Sequence, residues 1–228
     1  MNRCLICFNK FALNLDYYEL LIPQKNQKKN ICPNCLQKFE ALTDNVCKNC
    51  SRPLKEPQNL CSNCQYWSQK YQGNLLSNKS LYKYNQAFHD LMVQYKRYGD
   101  YELRMIFKDL ITTLPAADLY VPIPSSPSHL KKRGFETIES IYKEKVRLTF
   151  LLDKLDHESA QGEKGMWERL NSKQTFRVKK KIQVSNSSSV KILLLDDIYT
   201  TGRTLYHARD ALRSEFPCTK IESFTLAH

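Results

Sequence analysis

The sequence has no apolar run approaching the roughly 20 residues that a membrane-spanning helix needs. It also lacks a secretory start: Met1-Asn2-Arg3-Cys4-Leu5-Ile6-Cys7 offers neither a long apolar stretch nor a small-residue cleavage site. Acid is in short supply, with 23 Asp and Glu against 35 Lys and Arg and a formal net charge of +12. That balance favours a polyanionic partner, although a Lys-rich solvated surface gives the same total. No internal repeat appears apart from one recurring cysteine pair. Hydrophobic residues make up 42% of the 228 positions and charged residues 25%, enough to bury a core, which excludes disordered and fibrous classes. The expectation is a cytoplasmic protein made of one domain, or of a small module joined to one α/β domain.

What is present is unevenly placed. Eight of the nine cysteines form CxxC pairs, Cys4/Cys7, Cys32/Cys35, Cys47/Cys50 and Cys61/Cys64, while Cys218 stands alone. In a CxxC turn the two thiolates converge on one side of a tight bend, and two such turns supply four sulfurs to one zinc ion. Turn-forming residues sit inside three pairs, at Pro33-Asn34, Lys48-Asn49 and Ser62-Asn63. Four disulfides do not suit a cytosolic chain, and a thioredoxin-like site needs a single CxxC beside a βαβ unit. Eight thiolates therefore predict two structural Zn²⁺ sites of the Cys₄ type, each with no open coordination position. The short gap from Cys50 to Cys61 suits a ribbon of the last two pairs, which leaves Cys4/Cys7 to join Cys32/Cys35. A cross-braced pairing, first with third and second with fourth, remains open. Two such sites lower the formal charge to about +8, still basic. Apolar content here is thin, so the segment needs metal to fold.

From about Gln65 the cysteines stop and strand and helix signals alternate, dividing the chain into a zinc-binding module at 1–66 and an α/β domain at 67–228. Residues 80–84 read as a short aromatic strand. Phe88, Leu91, Met92 and Tyr95 fall on one helical stripe, Tyr98-Gly99-Asp100 breaks it, and Leu103, Ile106, Phe107, Leu110 and Ile111 continue a second helix. Leu119-Tyr120-Val121 is a strand, and Lys131-Lys132-Arg133-Gly134-Phe135 is expected to open a helix running to about Val146. Residues 153–189 are polar and irregular and end in a serine-rich stretch. This βα alternation predicts a parallel sheet with helices on both faces.

Val190 to Leu195 is a continuous apolar run, as expected of a central parallel strand buried on both sides. It ends in Asp196-Asp197-Ile198-Tyr199-Thr200-Thr201-Gly202-Arg203-Thr204, after which Leu205, Ala208, Leu212 and Phe216 mark an amphipathic helix. Ligands of open α/β sheets bind at the carboxyl ends of the strands. Two carboxylates there can accept hydrogen bonds from the vicinal hydroxyls of a sugar. The following loop offers backbone N–H groups, hydroxyls and a helix start, a cradle for phosphate, with Gly202 allowing close backbone approach. Diol acceptors and a phosphate cradle a few residues apart point to a ribose 5-phosphate. The rival reading is an ordinary strand-to-helix turn with an acidic cap. Tyr82-Lys83-Tyr84 and Tyr95-Lys96-Arg97-Tyr98 interleave aromatics with cations, a pattern that binds single-stranded nucleic acid or simply fills a core.

Residues 193–204, LLLDDIYTTGRT, resemble the phosphoribosyl-pyrophosphate (PRPP) loop of type I phosphoribosyltransferases. With the CxxC pairs, the 95–100 segment and Val121-Pro122-Ile123-Pro124 followed by Lys132-Arg133-Gly134-Phe135, nearly the whole chain resembles the ComF/GntX family, in particular its ComFC-type competence proteins. The resemblance implies a type I phosphoribosyltransferase-like α/β fold. It implies that Asp196 and Asp197 hold the ribose hydroxyls, the second through Mg²⁺, and are the catalytic carboxylates of any transfer. Thr200, Thr201, Gly202, Arg203 and Thr204 would hold the 5-phosphate, and Lys132 and Arg133 would lie near the pyrophosphate. It further implies a role in natural transformation, handling incoming single-stranded DNA with a ComFA-type helicase. Nucleotide salvage, or transfer to another acceptor, is the alternative. Two departures favour PRPP binding over efficient turnover: Glu136-Thr137 replaces Asn-Gln after Arg-Gly-Phe, and Glu168-Arg169-Leu170-Asn171 stands where Arg-Arg-Xaa-Asn is usual.

Overall fold

A computed structural model describes residues 2–12, 29–56, 58–155, 174–179 and 190–228. Two short strands, β1 (Asn2–Arg3) and β2 (Lys10–Phe11), pair antiparallel. Helices α1 (Pro33–Leu36) and α2 (Ser62–Lys70) begin at the second and fourth cysteine pairs. Then come β3 (Asn78–Tyr82), α3 (Gln86–Lys96), a 3₁₀ turn at Tyr101–Leu103 and α4 (Arg104–Leu110). They are followed by β4 (Leu119–Pro122), α5 (Pro127–Arg133), α6 (Thr137–Tyr142), β5 (Leu152–Lys154) and β6 (Phe176–Val178). The long elements β7 (Lys191–Ile198), α7 (Arg203–Glu215) and β8 (Lys220–Ala227) complete the chain.

Strands β3, β8, β7 and β4 lie side by side in that order, every neighbour parallel. The expected α/β fold therefore forms around the apolar run at 190–195. Successive side chains of a strand point to opposite faces, and β7 uses both. Leu193 and Leu195 join Phe88, Phe107 and Ile141 of α3, α4 and α6, whereas Ile192 and Leu194 join Leu205 and Leu212 of α7. All four β7 side chains are fully buried, worth about 2 kcal/mol each in water-exposed surface removed. The α3 stripe is buried as its spacing predicts, and Asn85 caps that helix by accepting from Phe88 N–H. Among the described residues no helix is long and apolar enough to cross a membrane.

Two local expectations change, and one strand carries no clear sequence signal. The basic trio closes a helix instead of opening one: Pro127 starts α5, where a proline N1 needs no hydrogen bond, and Gly134 stops it at φ +84°. Lys131, Lys132 and Arg133 thus sit in its last turn, where cations oppose the helix dipole favourably. The stretch after 152 is not wholly irregular, since β5 and β6 pair antiparallel. Strand β8 hides in sequence because polar residues interrupt its apolar pattern. Ser223 and Thr225 are buried there, each bonded to the β3 side of the sheet through Asn78. Residues 168–171 and the serine-rich stretch lie outside the described residues.

Candidate functional site

The carboxyl ends of β4 and β7 open into a cavity of about 370 Å³. Asp196, Asp197, Thr200, Thr204 and Arg133 line it, so five residues expected from sequence meet in one place. Thr201, Gly202 and Arg203 complete the intervening loop. Lys132 turns instead into a neighbouring pocket of about 220 Å³ shared with Lys96, Arg97, His129 and Arg133.

Three basic groups in the cavity wall have no counterpart among the expected ligands: Lys96, Lys154 and His129. Lys96 ends α3 and forms an ion pair with Asp197, which is only 5% exposed. A family-like segment covered that lysine, but nothing local tied it to Asp197. Lys154 arrives on β5, from a stretch with no periodic signal. Burial, then Asp197's neighbouring charge, pushes the Asp196 carboxyl up to about 7. Burial lowers His129, and Arg133, Lys154 and Lys132 lower it further. The wall is thus an acidic pair facing a crowd of cations, an arrangement that suits a polyanion carrying a diol and a divalent ion.

Short hydrogen bonds fix this wall. Tyr142 Oη donates to the Asp196 carbonyl at 2.8 Å, and Asp196 Oδ1 and Asp197 Oδ1 accept from the backbone N–H groups of Asp197 and Ile198. Ser125 N–H donates to Glu136 Oε2 at 3.0 Å. Arg133 donates from Nε to the Lys96 carbonyl at 3.0 Å and from its guanidinium to Thr137 Oγ1, which ties α5 to the end of α3. Gly202 adopts φ +80°, and a β-carbon there would lie 2.1 Å from the Tyr199 hydroxyl oxygen. The position therefore requires glycine twice over.

The interleaved tyrosines divide. Tyr82 and Tyr95 are buried and pack in the core, with the Tyr82 hydroxyl donating to the Leu110 carbonyl. Tyr84 and Tyr98 are exposed, Tyr98 by 70%, and Arg97 beside it is exposed as well. Only this second pair can meet a ligand.

The cysteines group as Cys4, Cys7, Cys32 and Cys35, and as Cys47, Cys50, Cys61 and Cys64, with the ligand atoms of each set within 4.8 Å of one another. The ribbon-like pairing holds and the cross-braced one does not. Sulfurs about 2.3 Å from a tetrahedral ion lie about 3.8 Å apart. Cys7 to Cys32 is 3.8 Å and Cys50 to Cys61 is 3.6 Å. In the second set hydrogen bonding between Cys47 and Cys50 lowers the first and raises the second far above its ordinary value. In the first set, backbone hydrogen bonds from Cys7, Cys32 and Ile6 overcome burial and lower Cys4 to about 6, while burial raises Cys35. Four packed sulfurs cannot all ionise alone, and a thiophilic divalent cation removes that conflict. Both donor sets fit such an ion.

No family model matches the sequence. Whole-chain comparison is informative. The chain is 31% identical to "Competence protein ComFC" of Streptococcus pneumoniae (strain ATCC BAA-255 / R6), over 98% of this chain and 99% of that protein. It is 29% identical to "Competence protein ComFC" of Bacillus subtilis (strain 168), over 98% of this chain and 93% of that protein. With near-complete coverage on both sides, this chain belongs to the ComFC family of competence proteins.

Proposed function

We propose that this competence protein binds PRPP with Mg²⁺ in the 370 Å³ cavity and assists the uptake of single-stranded DNA on the cytoplasmic side of the membrane, beside a ComFA-type helicase. The observation that carries the reading is the meeting of Asp196, Asp197, Thr200, Thr204 and Arg133 around one space walled by further cations. Asp196 and Asp197 would hold the ribose diol and, through Asp197, the metal. The loop from Thr200 to Thr204 would hold the 5-phosphate. Mg²⁺ would offset the charge of the pyrophosphate, while Arg133 and Lys154 face it from the protein side. Two structural Zn²⁺ ions would occupy the cysteine sets.

DNA contact is supported by the neighbouring pocket of Lys96, Arg97, His129, Lys132 and Arg133, with Tyr98 exposed beside it. Cations that track a backbone and an aromatic ring free to stack on an unpaired base are the requirements of single-strand binding. Phosphoribosyl transfer is a second reading, favoured by an adjoining cavity of about 350 Å³. That cavity shares Ile123, Pro124, Ser125 and Lys154 with the first and presents Leu130 and Phe150 to an acceptor.

Calorimetric titration with PRPP and Mg²⁺ tests the central reading. Binding that disappears in Asp196→Asn supports it, and no binding by the intact protein ends it. Pyrophosphate release above background with one member of a panel of bases would establish transfer. A gel shift with single-stranded DNA that weakens with salt tests the contact with DNA.

A further inference from the structure

The second cysteine set reaches the phosphate loop directly. Cys61 occupies the N-cap position of α2 without a side-chain capping hydrogen bond and Cys64 sits in its first turn, so a metal ion on this set would fix where the helix begins. Asn63 and Trp67 lie one helical turn apart, on the same face. Asn63 Nδ2 donates to the Thr200 carbonyl at 3.3 Å, and Trp67 Nε1 donates to the Thr201 carbonyl at 2.7 Å. Both side chains are buried, Trp67 completely.

Those two carbonyls control more than themselves. A trans peptide is planar, with its N–H opposed to its C=O. Holding the Thr200 and Thr201 carbonyls toward α2 therefore turns the N–H groups of Thr201 and Gly202 away from it. Tyr199 underlies Gly202, and its ring belongs to the same apolar cluster as Trp67 and all four sulfur ligands. The helix after the loop is held by the same element. Trp67 stacks on Tyr206 with ring centroids 4.3 Å apart, and the Tyr206 hydroxyl accepts from Leu76 N–H at 3.1 Å.

We propose that the second cysteine set, through Asn63 and Trp67, is a metal-dependent clamp that holds the phosphate loop in its ligand-binding form, with Trp67 as the positioning residue. Among the described residues the first set has no such reach, since it packs on the opposite face of the sheet with α3 and α4. The proposal rests on the reading that this loop receives PRPP. Coupling between two sites is reciprocal, so PRPP should slow zinc loss from the second set and leave the first unaffected.

The test uses the full zinc-loaded chain and follows amide hydrogen exchange of the 200–204 segment in wild type, Cys7→Ser, Cys61→Ser and Trp67→Phe. Trp67→Phe keeps an aromatic ring against Tyr206 while it removes the donor to Thr201 and part of the buried ring volume, so it stays informative if Cys61→Ser fails to fold. Loop exchange should rise about fivefold in Trp67→Phe, rise further in Cys61→Ser, and stay at the wild-type rate in Cys7→Ser. Unchanged exchange in Trp67→Phe, or an equal rise in Cys7→Ser, would overturn the clamp. Zinc release to a chelator, with and without PRPP, reads the reverse direction: protection of one ion of two, lost in Trp67→Phe, supports the coupling. PRPP that binds yet protects neither ion refutes it. A loop that responds to Trp67→Phe in a protein that binds no PRPP keeps the clamp and sinks the PRPP reading.

Discussion

The two cysteine sets have the same chemistry and spacing logic, yet they stand in different relations to the cavity. Cys4, Cys32 and Cys35 share a core with α3, α4 and α6, and Cys7 is partly open to solvent. Their surroundings are tied down by Asn30, whose N–H donates to Asp109 Oδ2 at 2.7 Å. Cys47, Cys50, Cys61 and Cys64 are all buried on the other face, against the strand, loop and helix that make the candidate site. The same four-sulfur unit can thus serve as a staple or as part of a site, and its neighbours decide which. Stapling asks only that the chain be closed, whereas support of a loop requires that the metal fix a helix whose side chains reach that loop.

The sharpest way to break this comparison is to remove one ligand from each set. Cys61→Ser should weaken PRPP binding about 100-fold, near the upper range of inter-site coupling, while Cys7→Ser should leave it within about threefold. Each should lose one of two zinc ions by metal analysis, and equal effects on PRPP would erase the distinction. Next in size is Gly202→Ala, in which both the positive φ and the clash with Tyr199 act. A loss of about 3 kcal/mol in urea unfolding is expected, with the zinc content of both sets intact.

Titration provides a third measure. Asp196 ionises near 7 in the folded protein against an ordinary 3.8, so the folded state holds a proton that the unfolded chain releases. Its contribution is complete below about 4 and is lost as the pH rises to 7, and Asp196→Asn should remove that slope. On the proposed reading, affinity for PRPP with Mg²⁺ should run the other way and climb as the pH passes 7, because the carboxylate would be the form that holds the ribose hydroxyls. A flat profile in calorimetry from pH 5.5 to 8 would contradict this. The smallest effect belongs to the first set. Asp109→Ala removes the carboxylate that accepts from the Asn30 N–H and should cost about 1 kcal/mol by urea unfolding, with PRPP affinity unchanged; a parallel loss of affinity would tie that face to the cavity after all.

Much of the site was legible along the chain because its parts are local. CxxC turns, the apolar run at 190–195 and the Asp196 to Thr204 loop each place their chemistry within a few residues, and each appears where its pattern points. Element boundaries were less secure where two signals compete. The trio Lys131 to Arg133 looked like a helix start, yet Pro127 and Gly134 bracket it as a helix end. Strand β8 went unseen because its buried Ser223 and Thr225 satisfy themselves across the sheet.

The sequence by itself determined that the chain has an α/β sheet around one apolar strand, eight cysteines in chelating pairs and an acidic, hydroxyl-rich loop at that strand's end. Only the tertiary structure decided which pairs converge into one four-sulfur set, that Lys96 and Lys154 join Asp196 and Asp197 in the wall, and that Trp67 meets Thr201. Chelating turns and strand ends are set by neighbours along the chain, and their residue types betray them. Contacts between residues more than a hundred positions apart, such as Trp67 and Thr201, leave no periodicity to read. Helix α2 precedes β3 and is no crossover of the sheet; it meets the loop by packing on α7, the crossover from β7 to β8, where Trp67 stacks on Tyr206.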